Sequence, residues 1–118
     1  MIGNQKSSGQ SVFESMTFVA SDEATADIAS LGDCDVYYYE GSEAASWTLP
    51  SVSDWAARIM FIKNRSASVV TLAIQSGAGS IIWRGSVSDI VSSMNLSKGQ
   101  TAVFLSTGTY WKLIGIRV

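Results

Sequence analysis

Side chains able to do acid, base or nucleophilic chemistry are scarce in this sequence. It contains no histidine, a single cysteine at position 34 and four scattered lysines. Serine is abundant, but without an imidazole the remaining base for a serine nucleophile is lysine, and no recognisable Ser–Lys motif is present. A single cysteine also excludes an intrachain disulfide. These residues predict a protein that is not an enzyme.

Two other stretches resemble ligand sites only superficially. Acidic residues crowd positions 22–35 and could offer oxygens to Ca²⁺, but they lack the ligand spacing of an EF-hand loop. A solvated acidic edge is the simpler interpretation. Gly77 and Gly79 are not followed by a helix carrying Lys-Ser/Thr, so they indicate a hairpin turn rather than a phosphate loop. We expect no metal and no cofactor.

Aromatic residues are the remaining candidates for ligand contact. Tyr37, Tyr39, Trp47 and Trp55 lie within nineteen positions of one another and could form a surface on which sugar rings stack. Aromatic side chains at this density in a β domain are more often buried in a core or an interface, because they remove so much apolar area from water. Both interpretations remain open from the sequence.

Size and composition favour one soluble domain that folds in a cytoplasm. The chain has 118 residues, 47% of them hydrophobic, which is enough for a core. Its apolar runs are too short to cross a bilayer, so we expect no membrane contact. The first residues do not have the pattern of a secretory signal peptide. We therefore expect synthesis in a host cytoplasm.

Charge is distributed unevenly along the chain. Residues 1–57 hold nine acids against Lys6, a balance of −8, whereas residues 58–118 hold seven bases against Asp89, a balance of +6. A basic half can bind nucleic acid, but these bases are spread over separate predicted strands rather than clustered on one. Self-complementarity within the fold or between copies is the preferred explanation, with no specific nucleic-acid partner.

The hydrophobic pattern predicts an all-β fold. Residues 1–10 are polar and aperiodic and indicate a flexible arm, which leaves 11–118 as the domain. A helical turn capped by Ser53 is predicted over 53–57, and an amphipathic helix over 86–94 is possible. We expect a single antiparallel β-sandwich of jelly-roll type with one or two short helical turns. Its predicted strands are 12–19, 35–40, 47–50, 58–63, 69–74, 81–84, 101–105 and 110–118.

The last strand has apolar residues on both faces. A β-bulge at Gly115 would shift the alternation and bring Trp111, Leu113, Ile116 and Val118 to one side. Otherwise the second face is a subunit contact. More apolar strand surface is present than one small sandwich covers, which predicts an oligomer. The candidate interface residues are Phe13, Met16, Phe18, Ile59, Phe61, Ile114, Ile116 and Val118.

The order of these segments resembles a module of bacteriophage tail fibres, spikes and other virion surface proteins. The resemblance covers residues 47–113, and it differs where the family usually has glycine before its apolar strand and this chain has Ala57. It implies a trimer and no catalytic residues. The matching pieces are Thr48-Leu49-Pro50, 53–57, Ile62-Lys63-Asn64, 69–74, Gly77 and Gly79, Leu96-Ser97-Lys98-Gly99, 103–105, Gly108 and Trp111.

Two functions are compatible with these observations. The first is a structural virion subunit, a trimeric capsid decoration, cement or fibre-type protein that binds its own copies and the major capsid or tail proteins. The second is a receptor- or carbohydrate-binding module that uses the four aromatic residues named above. Neither the residues nor the resemblance distinguishes a head from a tail location.

Overall fold

The computed structural model describes residues 16–75, 79–82 and 90–117, with the backbone alone for the last of them. These residues form two packed β-sheets, which confirms the predicted all-β sandwich. Within this part of the chain the strands are β1 Phe18–Ser21, β2 Thr25–Asp27, β3 Val36–Tyr39, β4 Ala45–Leu49, β5 Ile59–Asn64, β6 Val70–Ile74, β7 Ser80–Ile82, β8 Ile90–Val91, β9 Ser93–Leu96, β10 Thr101–Ser106 and β11 Tyr110–Arg117.

The first six strands alternate between the two sheets. The small sheet has the order β9-β6-β4-β2, and the large sheet has the order β1-β3-β5-β10-β11-β7-β8. The chain therefore makes three successive arches, each with one strand in each sheet. Stacking of the arches pairs β1 with β3 and β3 with β5, and likewise β2 with β4 and β4 with β6, all in parallel.

This parallel stacking corrects the expectation of a purely antiparallel sandwich. Antiparallel pairing occurs where β10 and β9 cover the third arch, between β10 and β11, and between β7 and β8. The strands of a jelly roll run antiparallel, so the arches set this chain apart from one. The glycine-rich turn at Gly77 and Gly79 is not a hairpin as the sequence predicts, because it joins β6 of the small sheet to β7 of the large sheet.

The second and third arches form a structural repeat. Val36 pairs with Phe61 and Ala45 pairs with Val70, so both sheets have the same offset of 25 residues between arches. Inward positions match in character at this offset, since Trp47 stacks on Leu72. Other aligned positions differ, such as Tyr39 with Asn64 and Tyr38 with Lys63, which makes the repeat difficult to detect in the sequence.

Alternation along each strand places large apolar side chains between the sheets. Fully buried residues include Met60 on β5, Leu72 on β6 and Phe104 on β10. Burial of each such side chain contributes about 1.5–3 kcal/mol. The two largest, Trp47 and Trp111, donate their indole N–H groups to the carbonyl oxygens of Glu23 and Pro50, both at 2.8 Å. Their polar atoms are thus satisfied inside the core.

The bulge predicted in the last strand is present. Val103 of β10 pairs with Gly115, but its neighbour Phe104 pairs with Leu113, so Ile114 is the extra residue on β11. The shift puts Trp111, Leu113 and Ile116 on the core side. Val118 lies outside the described residues.

Helical structure in the described residues is confined to two 3-10 helices, Ile28–Leu31 and Val52–Trp55, neither of them long enough to cross a membrane. The second begins after Ser51, so Ser53 is not its cap. The possible helix over 86–94 is wrong where it can be compared. Ile90–Val91 and Ser93–Leu96 are strands, because Met94 and Leu96 alternate into the core opposite β6. Residues 86–89 lie outside the described part.

Candidate functional site

The four aromatic residues considered for sugar stacking are not at the surface. Tyr37, Tyr39 and Trp47 are fully buried and Trp55 is nearly so. Both tyrosines point between the sheets, with their hydroxyls donating to the backbone carbonyls of Gly32 and Glu43. The predicted binding surface is therefore wrong. Strand alternation separates Tyr38 from its two neighbours, but it does not say which side is the core.

Tyr37 is held in its neutral form. Its hydroxyl donates to the Gly32 carbonyl at 2.6 Å and accepts from the Cys34 amide at 3.1 Å. Burial raises the pKa of the Tyr37 phenol above its ordinary value, because the phenolate would lose its hydration. The hydrogen bond from the Cys34 amide lowers this pKa and Arg58 lowers it further, whereas the charges of the Cys34 thiol and of Asp33 act with burial to raise it. These two hydrogen bonds anchor the loop before β3.

The most distinctive surface is the side of the large sheet that faces away from the core, which we call the outer face. Four of its side chains are unusually exposed for their size, with Phe18, Ile59, Ile90 and Ile114 at 68%, 46%, 46% and 53% of their full accessibility. Large exposed apolar groups gathered on one surface are typical of interaction sites. Its large apolar members are Phe18, Val36, Tyr38, Ile59, Phe61, Ile82, Ile90, Val103, Leu105 and Ile114.

Sheet register aligns these residues into a row. Phe18 pairs with Val36, Val36 with Phe61, and Phe61 with Val103, across four neighbouring strands. The row continues to β11 at the bulge, where Ile114 protrudes. Strands lie about 4.8 Å apart, so the row from β1 to β11 is about 19 Å long. Two parallel pairings, β1 with β3 and β3 with β5, and one antiparallel pairing, β5 with β10, thus align these side chains into one continuous apolar stripe.

A groove of about 420 Å³ runs over the β1 half of this stripe. Phe18 contacts the ring of Tyr38 edge-on, with 5.9 Å between ring centroids. Lys63 brings a cation to the groove and donates to the Gly99 carbonyl at 3.3 Å. The groove is lined by Met16, Thr17, Phe18, Val36, Tyr38, Phe61, Lys63 and Thr101.

Five of the eight predicted interface residues meet here. Phe18, Ile59, Phe61 and Ile114 lie on the outer face, and Met16 lines its groove. Ile116 is a correction, since the bulge turns it toward the core, where it is partly buried. Phe13 and Val118 lie outside the described residues. Sequence analysis missed Val36, Tyr38, Val103 and Leu105, whose outward positions follow from the strand alternation once the core side is known.

Acids and bases meet at the boundary between the second and third arches. Arg58 pairs with Asp33 at 2.7 Å, and Arg65 pairs with Glu40 at 3.2 Å. Each arginine also stacks on an aromatic ring. The guanidinium of Arg58 lies 3.9 Å from the centroid of the Trp55 ring, and that of Arg65 lies 4.9 Å from the centroid of the Tyr38 ring. Part of the charge asymmetry of the sequence therefore acts within the fold. Partly exposed ion pairs of this kind contribute little to stability, about 0–1 kcal/mol each.

The acidic stretch at 22–35 does not converge on a site. Asp33 contacts Arg58, and Asp35 accepts a hydrogen bond from the Thr17 amide at 3.0 Å. In the part of the chain that the structure describes, no three His, Cys, Asp or Glu side chains are grouped as a metal site would require. Comparison of the chain with protein-family models, curated proteins and solved structures finds no match. Its function must be inferred from its own geometry.

Proposed function

We propose that this protein is a structural subunit of a bacteriophage virion, an oligomeric capsid decoration, cement or fibre-type protein that forms a trimer. The observation that supports assembly is the outer face, where apolar side chains of five neighbouring strands form one exposed stripe. Water contact with such a stripe is unfavourable, and covering it in an assembly removes that cost. The phage context is taken from the sequence resemblance.

The proposal assigns no catalytic residue, cofactor or metal. Its partners are other copies of the chain and the capsid or tail proteins of the particle. The groove on the outer face suits a protein contact because most of its lining residues are apolar or aromatic, and Thr17, Lys63 and Thr101 add polar groups to it. Binding energy at such interfaces comes mainly from a few buried aromatic and aliphatic anchors. Phe18 and Phe61 are the anchors of this surface.

A second candidate function, glycan or receptor binding, is favoured by the same groove. Phe18, Tyr38 and Phe61 offer aromatic surface, and Lys63 offers a cation for an acidic sugar. This site replaces the buried aromatic set that the sequence suggested. Loss of a glycan-array signal on Tyr38→Ala, with the fold retained, would support it over a purely structural role.

The structural role is tested on purified particles. Phe18→Asp together with Ile59→Asp places two charges on the outer face, and we expect the variant to fold but to leave particles undecorated. Val69→Asp is the matched control, because Val69 is a similarly exposed apolar residue, at 40%, that lies outside the outer face. Full occupancy of particles by the double variant, or absence of the wild-type chain from purified virions, would refute the proposal.

A further inference from the structure

The large sheet ends at β1 with an edge that no other strand of the described residues covers. β1 pairs only with β3 and is the outermost strand of the sheet. Edge strands of natural proteins usually carry lysine, proline or a bulge that prevents further pairing. Phe18–Ser21 carry no charge and no proline, and their pairing with β3 is regular. This edge is therefore open to a further strand.

The hydrogen bonds to β3 fix the direction of the backbone groups of β1. The carbonyl oxygens of Thr17 and Ser21 accept from amides at the start of β3 and just after its end, at 3.0 and 2.8 Å. Along a strand, residues whose N–H and C=O face one neighbour alternate with residues whose groups face the other. Phe18 and Ala20 therefore each direct one N–H and one C=O toward the open edge.

Carboxylates lie at both ends of this edge. Asp35 accepts a hydrogen bond from the Thr17 amide at 3.0 Å, which places it where β1 begins. The Glu23 amide donates to the Ser21 hydroxyl at 3.1 Å, which places Glu23 where β1 ends. Asp22 lies at the same end and is exposed. Residues 16–57 contain no lysine or arginine that could neutralise these acids locally.

The bases of the large sheet are farther from the edge. Lys63 pairs with Tyr38, which pairs with Ala20, so Lys63 lies two strand spacings from β1. A strand added beyond β1 lies three spacings, about 14 Å, from it. Exposed charges farther apart than about 8 Å are largely screened at physiological salt. The carboxylates at the ends of β1 are closer and set the charge of the edge.

We propose that β1 binds an extended segment of another protein, which adds a strand to the large sheet and carries a lysine or arginine near each of its ends. Its backbone pairs with Phe18 and Ala20, and its side chains on the outer face cover the exposed ring of Phe18. Strand addition takes its affinity from main-chain hydrogen bonds and its specificity from side chains. In the proposed function this protein is a capsid or tail protein, and the inference rests on that function only for the partner's identity.

A second copy of the chain fits this edge less well. Two β1 strands paired antiparallel about a two-fold axis bring Glu23 of each copy toward Asp35 of the other. Like charges then meet at both ends of the contact, which is unfavourable. The other edge strands of the described residues, β2, β8 and β9, do not have a base at both ends. A neutral segment flanked by bases suits the edge better than any of them.

The test is binding of synthetic peptides to the whole chain, measured by fluorescence anisotropy. One peptide has seven residues, with lysine at both ends and alternating threonine and valine between them, and the control peptide has glutamate at both ends. We expect the lysine peptide to bind at least tenfold more tightly. Because only one edge of the peptide pairs with β1, methylating the backbone nitrogens of its valines and methylating those of its threonines should differ. One change should weaken binding at least tenfold and the other less than about threefold.

A variant of the chain tests the same contact from the other side. Ala20→Pro removes one outward N–H and leaves the groups that pair with β3, a position at which edge strands tolerate proline. It should bind the lysine peptide at least tenfold more weakly, whereas the matched control Ala20→Ser, which keeps the amide, should bind like wild type. If Ala20→Pro does not fold, the two methylated peptides decide the question on the wild-type chain.

Failure here is distinct from failure of the proposed function, which is tested on particles. No binding of the lysine peptide at one millimolar, equal binding of the lysine and glutamate peptides, or equal binding of the two methylated peptides overturns strand addition and leaves the structural role standing. Binding only after deletion of residues 1–10 would assign the edge to the chain's own N-terminus. A lower mass of Ala20→Pro in light scattering would assign it to a second copy. Either of these results also overturns the inference.

Discussion

Replacing Asn64 with aspartate changes the shape of the side chain very little, yet we expect it to destabilise the fold strongly. Its side chain is completely buried at the end of β5. The amide nitrogen donates to the Ser68 carbonyl at 2.6 Å and the Leu96 carbonyl at 2.9 Å, while Oδ1 accepts from the amide and hydroxyl of Ser66. One side chain thus joins the third arch to the strand that covers it.

Asn64→Asp removes both donors and sets a carboxylate oxygen against two buried carbonyls. Each buried polar group left without a partner costs about 1–3 kcal/mol, so the two carbonyls together predict a loss of about 2–6 kcal/mol in the free energy of unfolding. The whole stability of a domain is about 5–15 kcal/mol, which makes this a severe variant. At acid pH the deficit should shrink, because a protonated carboxyl recovers one donor.

Urea unfolding followed by tryptophan fluorescence measures this loss, since Trp47, Trp55 and Trp111 are buried. Asn95→Asp is the control. Asn95 is exposed and uses its Oδ1 to accept from Thr71, so the change should cost less than about 0.5 kcal/mol. An Asn64→Asp variant within 1 kcal/mol of wild type would refute the role assigned to this network.

Three further predictions concern single positions and the N-terminus. Ala57 has a left-handed φ of 64°, so Ala57→Gly should stabilise the protein by about 0.5–1 kcal/mol in urea unfolding, whereas Ala56→Gly, at φ −52°, should destabilise it by a similar amount. Folding raises the pKa of Tyr37, so the free energy of unfolding is retained below the ordinary phenol pKa of about 10 and falls as the pH rises above it. Tyr37→Phe should make this fall smaller when urea unfolding is measured between pH 9 and 11. Deleting residues 1–10 should leave the unfolding free energy unchanged while weakening attachment to particles in co-sedimentation, and an unfolded truncated chain would contradict this.

The sequence was sufficient for the fold class and for one detailed feature. Strict alternation in β11 cannot bury both Trp111 and Ile116, and glycine at 115 marked where the phase shifts, so the bulge could be predicted. Ala57 also stood out, because the module that the sequence resembles usually has glycine at this place before its apolar strand. Its positive φ supplies the physical reason.

The parallel stacking of the arches and the location of the outer face could not be predicted from the sequence. Alternation assigns residues to two faces but does not say which face is inside, so Tyr37 and Tyr39 were as plausible on the surface as Tyr38. The 25-residue repeat is weak in the sequence because only some aligned inward residues share a chemistry: Trp47 aligns with Leu72, but Tyr39 aligns with Asn64. The buried role of Asn64 cannot be predicted from the sequence, because its partners Ser68 and Leu96 come together only when the chain has folded.

Absolute mass in solution tests the central claim most directly. Light scattering of the wild-type chain, alongside Phe18→Asp and the control Val69→Asp, should be measured from one to several hundred micromolar. We predict a mass near 38 kDa, three times the 12.6 kDa of the chain, for the wild type and for Val69→Asp, and dissociation of Phe18→Asp. A wild-type mass of 12.6 kDa across the whole range would contradict the assignment of the outer face to assembly.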